Sequence, residues 1–129
     1  MKIIENLFKG RINRRNLVLG LISSLSIYFI ILGNLFYIVT SISNIFVFIF
    51  AGMLYAISLI SVLTFNISLQ VRRWHDLGLS GNYVFLNLIL TVFVILYVCL
   101  KRGQQEDNKY GSKPSKKLNF LSVILGIDK

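Results

Sequence analysis

Between Asn16 and Val71 the chain reads NLVLGLISSLSIYFIILGNLFYIVTSISNIFVFIFAGMLYAISLISVLTFNISLQV, 56 residues without a Lys, Arg, Asp, Glu or His. A helix rises 1.5 Å per residue and needs roughly 20 apolar residues to cross a hydrocarbon core of about 30 Å. The run therefore holds two crossings, expected at residues 17–39 and 45–69. Between them Thr40-Ser41-Ile42-Ser43-Asn44 is short, polar and turn-forming, which suits a tight antiparallel connection. A second uncharged run, Leu77 to Leu100, gives room for one more crossing at residues 83–100. Ile, Val and Phe are abundant enough to suggest strands. Lipid-embedded backbone must bond within its own helix or within a closed barrel, however, and these runs lack the polar–apolar alternation of barrel strands. The reading is an all-α polytopic membrane protein with three transmembrane helices, a single membrane domain over residues 1–129.

Composition agrees. Of 129 residues 55% are hydrophobic and only 15% charged, against about 25% charged in an ordinary soluble chain. A disordered chain is excluded on the same figures, since it needs low hydrophobicity and high charge. The first apolar stretch is too long for a cleaved signal peptide and has no small-x-small site leading into a polar domain. The single Cys99 cannot form an internal disulfide.

The fourteen Lys and Arg, against five Asp and Glu, lie outside the runs. In residues 1–16, Ile3, Ile4, Leu7 and Phe8 share one helical face, predicting a short amphipathic helix in the headgroup plane ended by Gly10. A basic collar, Arg11, Arg14 and Arg15, follows. Before residue 83 comes Arg72-Arg73-Trp74-His75-Asp76-Leu77-Gly78-Leu79-Ser80-Gly81-Asn82, where Asp76 has Arg72 four residues and Arg73 three residues before it, so either pair could bridge on a continuing helix. The basic tail, residues 101–129, ends in Leu118–Ile127, ten uncharged residues that are too short to cross.

Positive residues stay cytoplasmic. The first two helices place the N-terminus inside, whereas six Lys and Arg closely after the third pull the tail inside as well. Three crossings cannot satisfy both, and the expectation is N-terminus in, tail out. A third segment that dips in and returns would reconcile every charge, but residues 83–100 hold no Gly or Pro on which to turn.

The polar blocks resemble those of a family of small bacterial inner-membrane proteins catalogued as domain of unknown function 805. Phe8-Lys9-Gly10-Arg11 with Arg14-Arg15 is similar to its F-x-G-R-x-x-R opening. Arg72-Arg73-Trp74-His75-Asp76-Leu77-Gly78-Leu79-Ser80-Gly81 resembles its R-R-L-H-D-x-G-x-S-G block. Gly103, Asn108-Lys109-Tyr110-Gly111 and Pro114 resemble its G…N-x-Y-G-x-x-P ending. Leu17, Trp74 and Asn82 depart from the pattern. The resemblance implies a multi-pass protein of the bacterial cytoplasmic membrane and brings no activity, ligand or partner.

Several readings compete for the polar residues. Arg11, Arg14, Arg15, Arg72, Arg73 and Trp74 are expected at the lipid headgroups. Arg73, His75, Asp76, Gly78, Ser80 and Gly81 form the richest cluster, either as an anchor or as a site in which Asp76 tunes His75 near neutral pH. Asn108, Tyr110, Gly111 and Pro114 read as a turn. One His and one Cys with few carboxylates do not supply a metal site, and Ser80 lacks an evident oxyanion hole. No cofactor is expected, and the protein is read as non-enzymatic. The basic residues flank bilayer segments instead of forming one stripe, so anionic phospholipids are the expected partners and nucleic acid is not. Small residues spaced by four, Gly20 with Ser24 and Gly52 with Ala56, favour helix contacts within the chain, in a homo-oligomer or with a larger membrane partner. The alternative function is an oligomeric channel or transport accessory lined by the Ser and Asn face of the second helix, including Ser58, Ser61, Thr64, Asn66 and Ser68.

Overall fold

The computed structural model describes residues 7–42, 44–115 and 123. Within them the chain is helical, with no strand beyond an isolated bridge between Asn108 and Gly111. Helix α1 covers Arg14–Ser41 and α2 covers Ile45–Asp76. A 3-10 helix over Gly81–Leu86 leads into α3, Asn87–Leu100. The amphipathic helix expected at the N-terminus falls largely on residues 1–6, outside the described residues, as does the apolar stretch 118–127 apart from Val123.

Both long helices begin on an asparagine cap. Asn13 Oδ1 accepts from the Asn16 amide at 2.8 Å, and Asn44 Oδ1 accepts from the Phe46 amide at 2.8 Å. Each satisfies an amide that the first helical turn leaves without a partner. Helix α2 runs past its expected end at Leu69 and carries Arg72–Asp76 as its last turns. It stops at Gly78, whose φ of +79° lets the Gly78 amide reach the His75 carbonyl (3.0 Å) and the Leu79 amide reach the Trp74 carbonyl (3.0 Å). That double closure requires the left-handed backbone that glycine adopts without a Cβ clash.

Burial is inverted along the α1–α2 hairpin. Toward the connection between α1 and α2 the large side chains face outward: Phe29, Phe36, Tyr37 and Phe46 are all more than three-fifths exposed. An apolar face of this extent is a liability in water and the normal exterior of a protein in lipid. By length and composition α1, α2 and the Gly81–Leu100 segment are each long and apolar enough to span a membrane. The packed core sits instead where the start of α1 meets the end of α2, and there Ile12, Leu17, Leu69, Trp74, Val84, Val94 and Val98 are buried together with Val123. Here α1 meets α2 closely. A Cβ on Gly20 would lie 2.6 Å from Leu69 Cδ1, and Ser24 Oγ donates to Asn66 Oδ1 at 2.8 Å. The Gly20–Ser24 pair is thus used inside the chain, whereas a Cβ on Gly52 would meet nothing within 4 Å.

The third segment takes an unexpected course. A straight helix would separate Tyr83 from Tyr97 by about 21 Å along its axis. Both rings instead flank the Trp74 indole, with centroids 5.5 and 5.7 Å away. On the way out Asn87 Nδ2 donates to Gln70 Oε1 at 2.6 Å, and on the way back Arg73 Nε donates to the Val98 carbonyl at 2.8 Å. The reversal falls at Leu90, where φ −127° and ψ 44° break the helix without glycine or proline. Both ends of the segment therefore lie at the same end of the molecule. The expected separation of the collar from the tail is corrected: Arg11 of the collar donates to the tail carbonyls of Gln104 (2.6 Å) and Glu106 (2.7 Å).

Candidate functional site

Asp76 organises the polar end. It is 3% exposed, and a carboxylate buried so deeply needs compensating charge and hydrogen bonds. Arg11 supplies two, Nε at 3.1 Å and Nη2 at 2.9 Å, both to Oδ1. Arg73, one turn earlier on α2, pairs with Oδ2 through Nη1. The two sequence-adjacent arginines thus divide: Arg73 takes Asp76, and Arg72 Nη1 turns to the Val123 carbonyl at 3.0 Å.

The arginines also collect backbone carbonyls. Arg11 Nη1 donates to Glu106 and, at 3.3 Å, to Gly111. Arg73 Nη2 reaches the carbonyl of Lys101, and its Nη1 that of Ile12 at 3.4 Å. The Gln104 amide donates to the Asp76 carbonyl at 2.9 Å. Collar, α2 terminus and tail are thereby tied by two guanidiniums and one carboxylate. Gly103 makes the approach possible, because a Cβ there would overlap Asp76 Oδ2.

His75 faces a different set of partners. Its Nδ1 lies 3.2 Å from the Gly10 carbonyl, a contact in which the ring nitrogen donates. The imidazole lies flat on the Tyr110 ring, centroids 3.9 Å apart and planes 6° off parallel. Asn108 Nδ2 donates to the His75 carbonyl at 2.9 Å, and Asn108 Oδ1 accepts from the Tyr110 amide at 2.9 Å. Asp76 is engaged with Arg11 and Arg73, so the expected tuning of His75 by Asp76 gives way to a stacking contact with the tail. The turn expected at Asn108–Gly111 is present, closed by the Gly111 amide on the Asn108 carbonyl at 2.9 Å, and it docks on the loop that the expected topology had placed on the other side.

The remaining expected residues fall as follows. Arg11, Arg72 and Arg73 are buried with their guanidiniums on internal acceptors, which withdraws them from the headgroup contact expected of them, and the Trp74 ring is buried in the core. Arg14 and Arg15 are exposed. Ser80 caps the 3-10 turn through a 3.4 Å contact with the Asn82 amide, and Gly81 packs where a Cβ would lie 2.6 Å from Val71 Cγ1. Pro114 is buried. On α2, Ser58, Ser61 and Thr64 return their hydroxyls to carbonyls of their own helix, each at 2.8 Å, while Asn66 serves the contact with α1.

What the individual residues did not reveal is a cavity of about 530 Å³ between the start of α1, the end of α2 and the tail. Arg14, Arg15, Arg102 and Lys113 line it, as do Arg73 and Asp76, which are already paired. Arg102 and Lys113 are exposed and were legible only as tail charges. Their convergence with Arg14 and Arg15 depends on the tail folding back, which no local pattern announces. Arg14 Nη1 marks that closure by donating to the Leu100 carbonyl at 3.1 Å.

A family model described as "Protein of unknown function (DUF805)" matches residues 7–112. No curated protein and no solved structure matches the chain.

Proposed function

Starting from the chain's membership in the DUF805 family of proteins of unknown function, to which residues 7–112 belong, we propose that it is a non-enzymatic component of the bacterial cytoplasmic membrane that binds anionic phospholipid headgroups at its polar end. The supporting observation is the cavity rimmed by Arg14, Arg15, Arg102 and Lys113. Four exposed cations surround it, and its one carboxylate, Asp76, is already neutralised by Arg11 and Arg73. The cavity lies at the end of the molecule where the exposed apolar surface of α1 and α2 gives way to charge, which is the depth of lipid phosphates. Juxtamembrane Lys and Arg are each worth about 1 kcal/mol toward an anionic surface.

The same reading orients the protein with collar and tail both cytoplasmic. The far loop between α1 and α2 carries no Lys or Arg, so every basic residue then lies on the side that positive residues prefer. The Gly81–Leu100 segment enters from that side and returns to it.

Native mass spectrometry of the detergent-extracted protein with added phosphatidylglycerol or phosphatidylcholine tests the headgroup reading. Phosphatidylglycerol should be retained preferentially, and the Arg14→Gln/Arg15→Gln/Arg102→Gln variant should lose most of that preference. Equal retention of the two lipids, or a preference undiminished in the folded variant, overturns it.

A further inference from the structure

A second cavity, about 410 Å³, lies where the third segment doubles back. Tyr83 and Leu86 on the outgoing limb, Phe93 and Tyr97 on the returning limb and Trp74 on α2 line it. Its size is that of a small-molecule site and its walls are apolar. Two polar features accompany it. Trp74 is 3% exposed, and its Nε1 is a buried donor with no acceptor among the described residues. A buried indole N–H normally finds a partner, and leaving one unmade costs about 1–3 kcal/mol. At the end of the returning limb the Lys101 ammonium lies 5.7 Å from the centroid of the Tyr97 ring, which places a cation beside a cavity wall.

We propose that this cavity holds one acyl chain of an anionic phospholipid, with an ester carbonyl accepting from Trp74 Nε1 and the phosphate meeting Lys101. The ligand chemistry follows from the arrangement: an apolar slot, one unused donor and one cation at the end of the segment that reaches the polar zone. Tyr83, Leu86 and Phe93 are exposed on the outer surface as well as lining the slot, so it adjoins the same apolar exterior that faces lipid. The site is separate from the arginine-lined cavity, shares no lining residue with it, and stands whether or not headgroups bind there.

Trp74 is the chain's single tryptophan, so its fluorescence reports this slot alone. The full-length protein is placed in phosphatidylcholine nanodiscs doped with phospholipid brominated on its acyl chains. Brominated phosphatidylglycerol should quench Trp74 saturably, with about a fivefold preference over brominated phosphatidylcholine, the effect of one cation near the phosphate. Lys101→Gln should abolish that preference while keeping the quenching, and Leu86→Phe should fill the slot and reduce the quenching itself. Quenching that merely follows the bulk fraction of brominated lipid, or that is the same in the folded Leu86→Phe protein, overturns the proposal. Lys101 is exposed, so its variant remains informative even where the filled variant fails to fold. Arg14→Gln/Arg15→Gln should leave Trp74 quenching unchanged, which separates failure of this site from failure of the headgroup reading.

Discussion

A single carboxylate serving two guanidiniums is the residue-scale fact on which the polar end rests. Arg73 could be anticipated as a partner of Asp76, because three residues on a helix bring them together. Arg11 could not, since 65 residues separate it from Asp76 and no spacing rule spans such a gap. The burial of Arg11, Arg72 and Arg73 was equally hidden: clustered arginines beside an apolar run look like a headgroup collar until their acceptors, mostly backbone carbonyls of the tail, are in view. Removing one member of a buried ion pair costs about 3–5 kcal/mol, because the other charges lose their compensation. Asp76→Asn should therefore lower stability in detergent by roughly that amount, read by chemical denaturation with Trp74 emission as the signal. Asp107→Asn is the comparison. Asp107 is exposed and accepts from the Lys113 amide at 2.9 Å, a bond the amide oxygen of Asn can keep, so its change should stay within about 0.5 kcal/mol.

At the scale of elements, the existence and type of each helix could be read from the uncharged runs, and the ends of α1 and α2 lie within a few residues of expectation except where α2 continues to Asp76. The reversal of the third segment was legible only as the less favoured reading, because the usual turning residues are absent from residues 83–100. The device used instead is Asn87, the one amide in an otherwise apolar stretch. Its Nδ2 is held by Gln70 on α2, and its carbonyl accepts from the Thr91 hydroxyl. A polar side chain within a span is costly without a partner, and here the partner pins the segment before it reverses at Leu90. Asn87→Leu should release that pin, leave Gln70 Oε1 without its donor and cost about 1–2 kcal/mol. Part of the population should then present its tail on the opposite side. Labelling of Ser115→Cys by a membrane-impermeant maleimide, in a Cys99→Ala background, checks this. Identical labelling with and without the Asn87 change would refute the pinning role.

At the scale of the whole molecule, charge and packing agree when the collar and the tail share a side. The conflict between the collar and the tail was visible in the residues, and so was its remedy, a segment that enters and returns. What tipped the expectation toward a crossing was the absence of glycine and proline, a local argument set against a global one. The structure brings collar and tail together by contacts between regions far apart in sequence, Arg11 with Gln104, Glu106 and Gly111, and His75 with Tyr110, and these support the proposed topology. A reporter fused after Lys129, active only in the cytoplasm, should be active, and a reporter at the Ser41–Asn44 connection should show the opposite side. An inactive C-terminal fusion would return the third segment to a full crossing.

The span of the Arg11 contacts also sets a timetable. Gln104 follows Arg11 by 93 residues, so at ordinary elongation rates the guanidinium, which can meet Asp76 earlier, waits about 5–20 s for this tail carbonyl. Two hydrophobic helices can insert during that interval, but the clasp between collar and tail closes only after residue 104 has been made. A hairpin made only through Asp76 already gives Arg11 its carboxylate, and the carbonyls of Gln104, Glu106 and Gly111 add the bonds that draw the tail onto it.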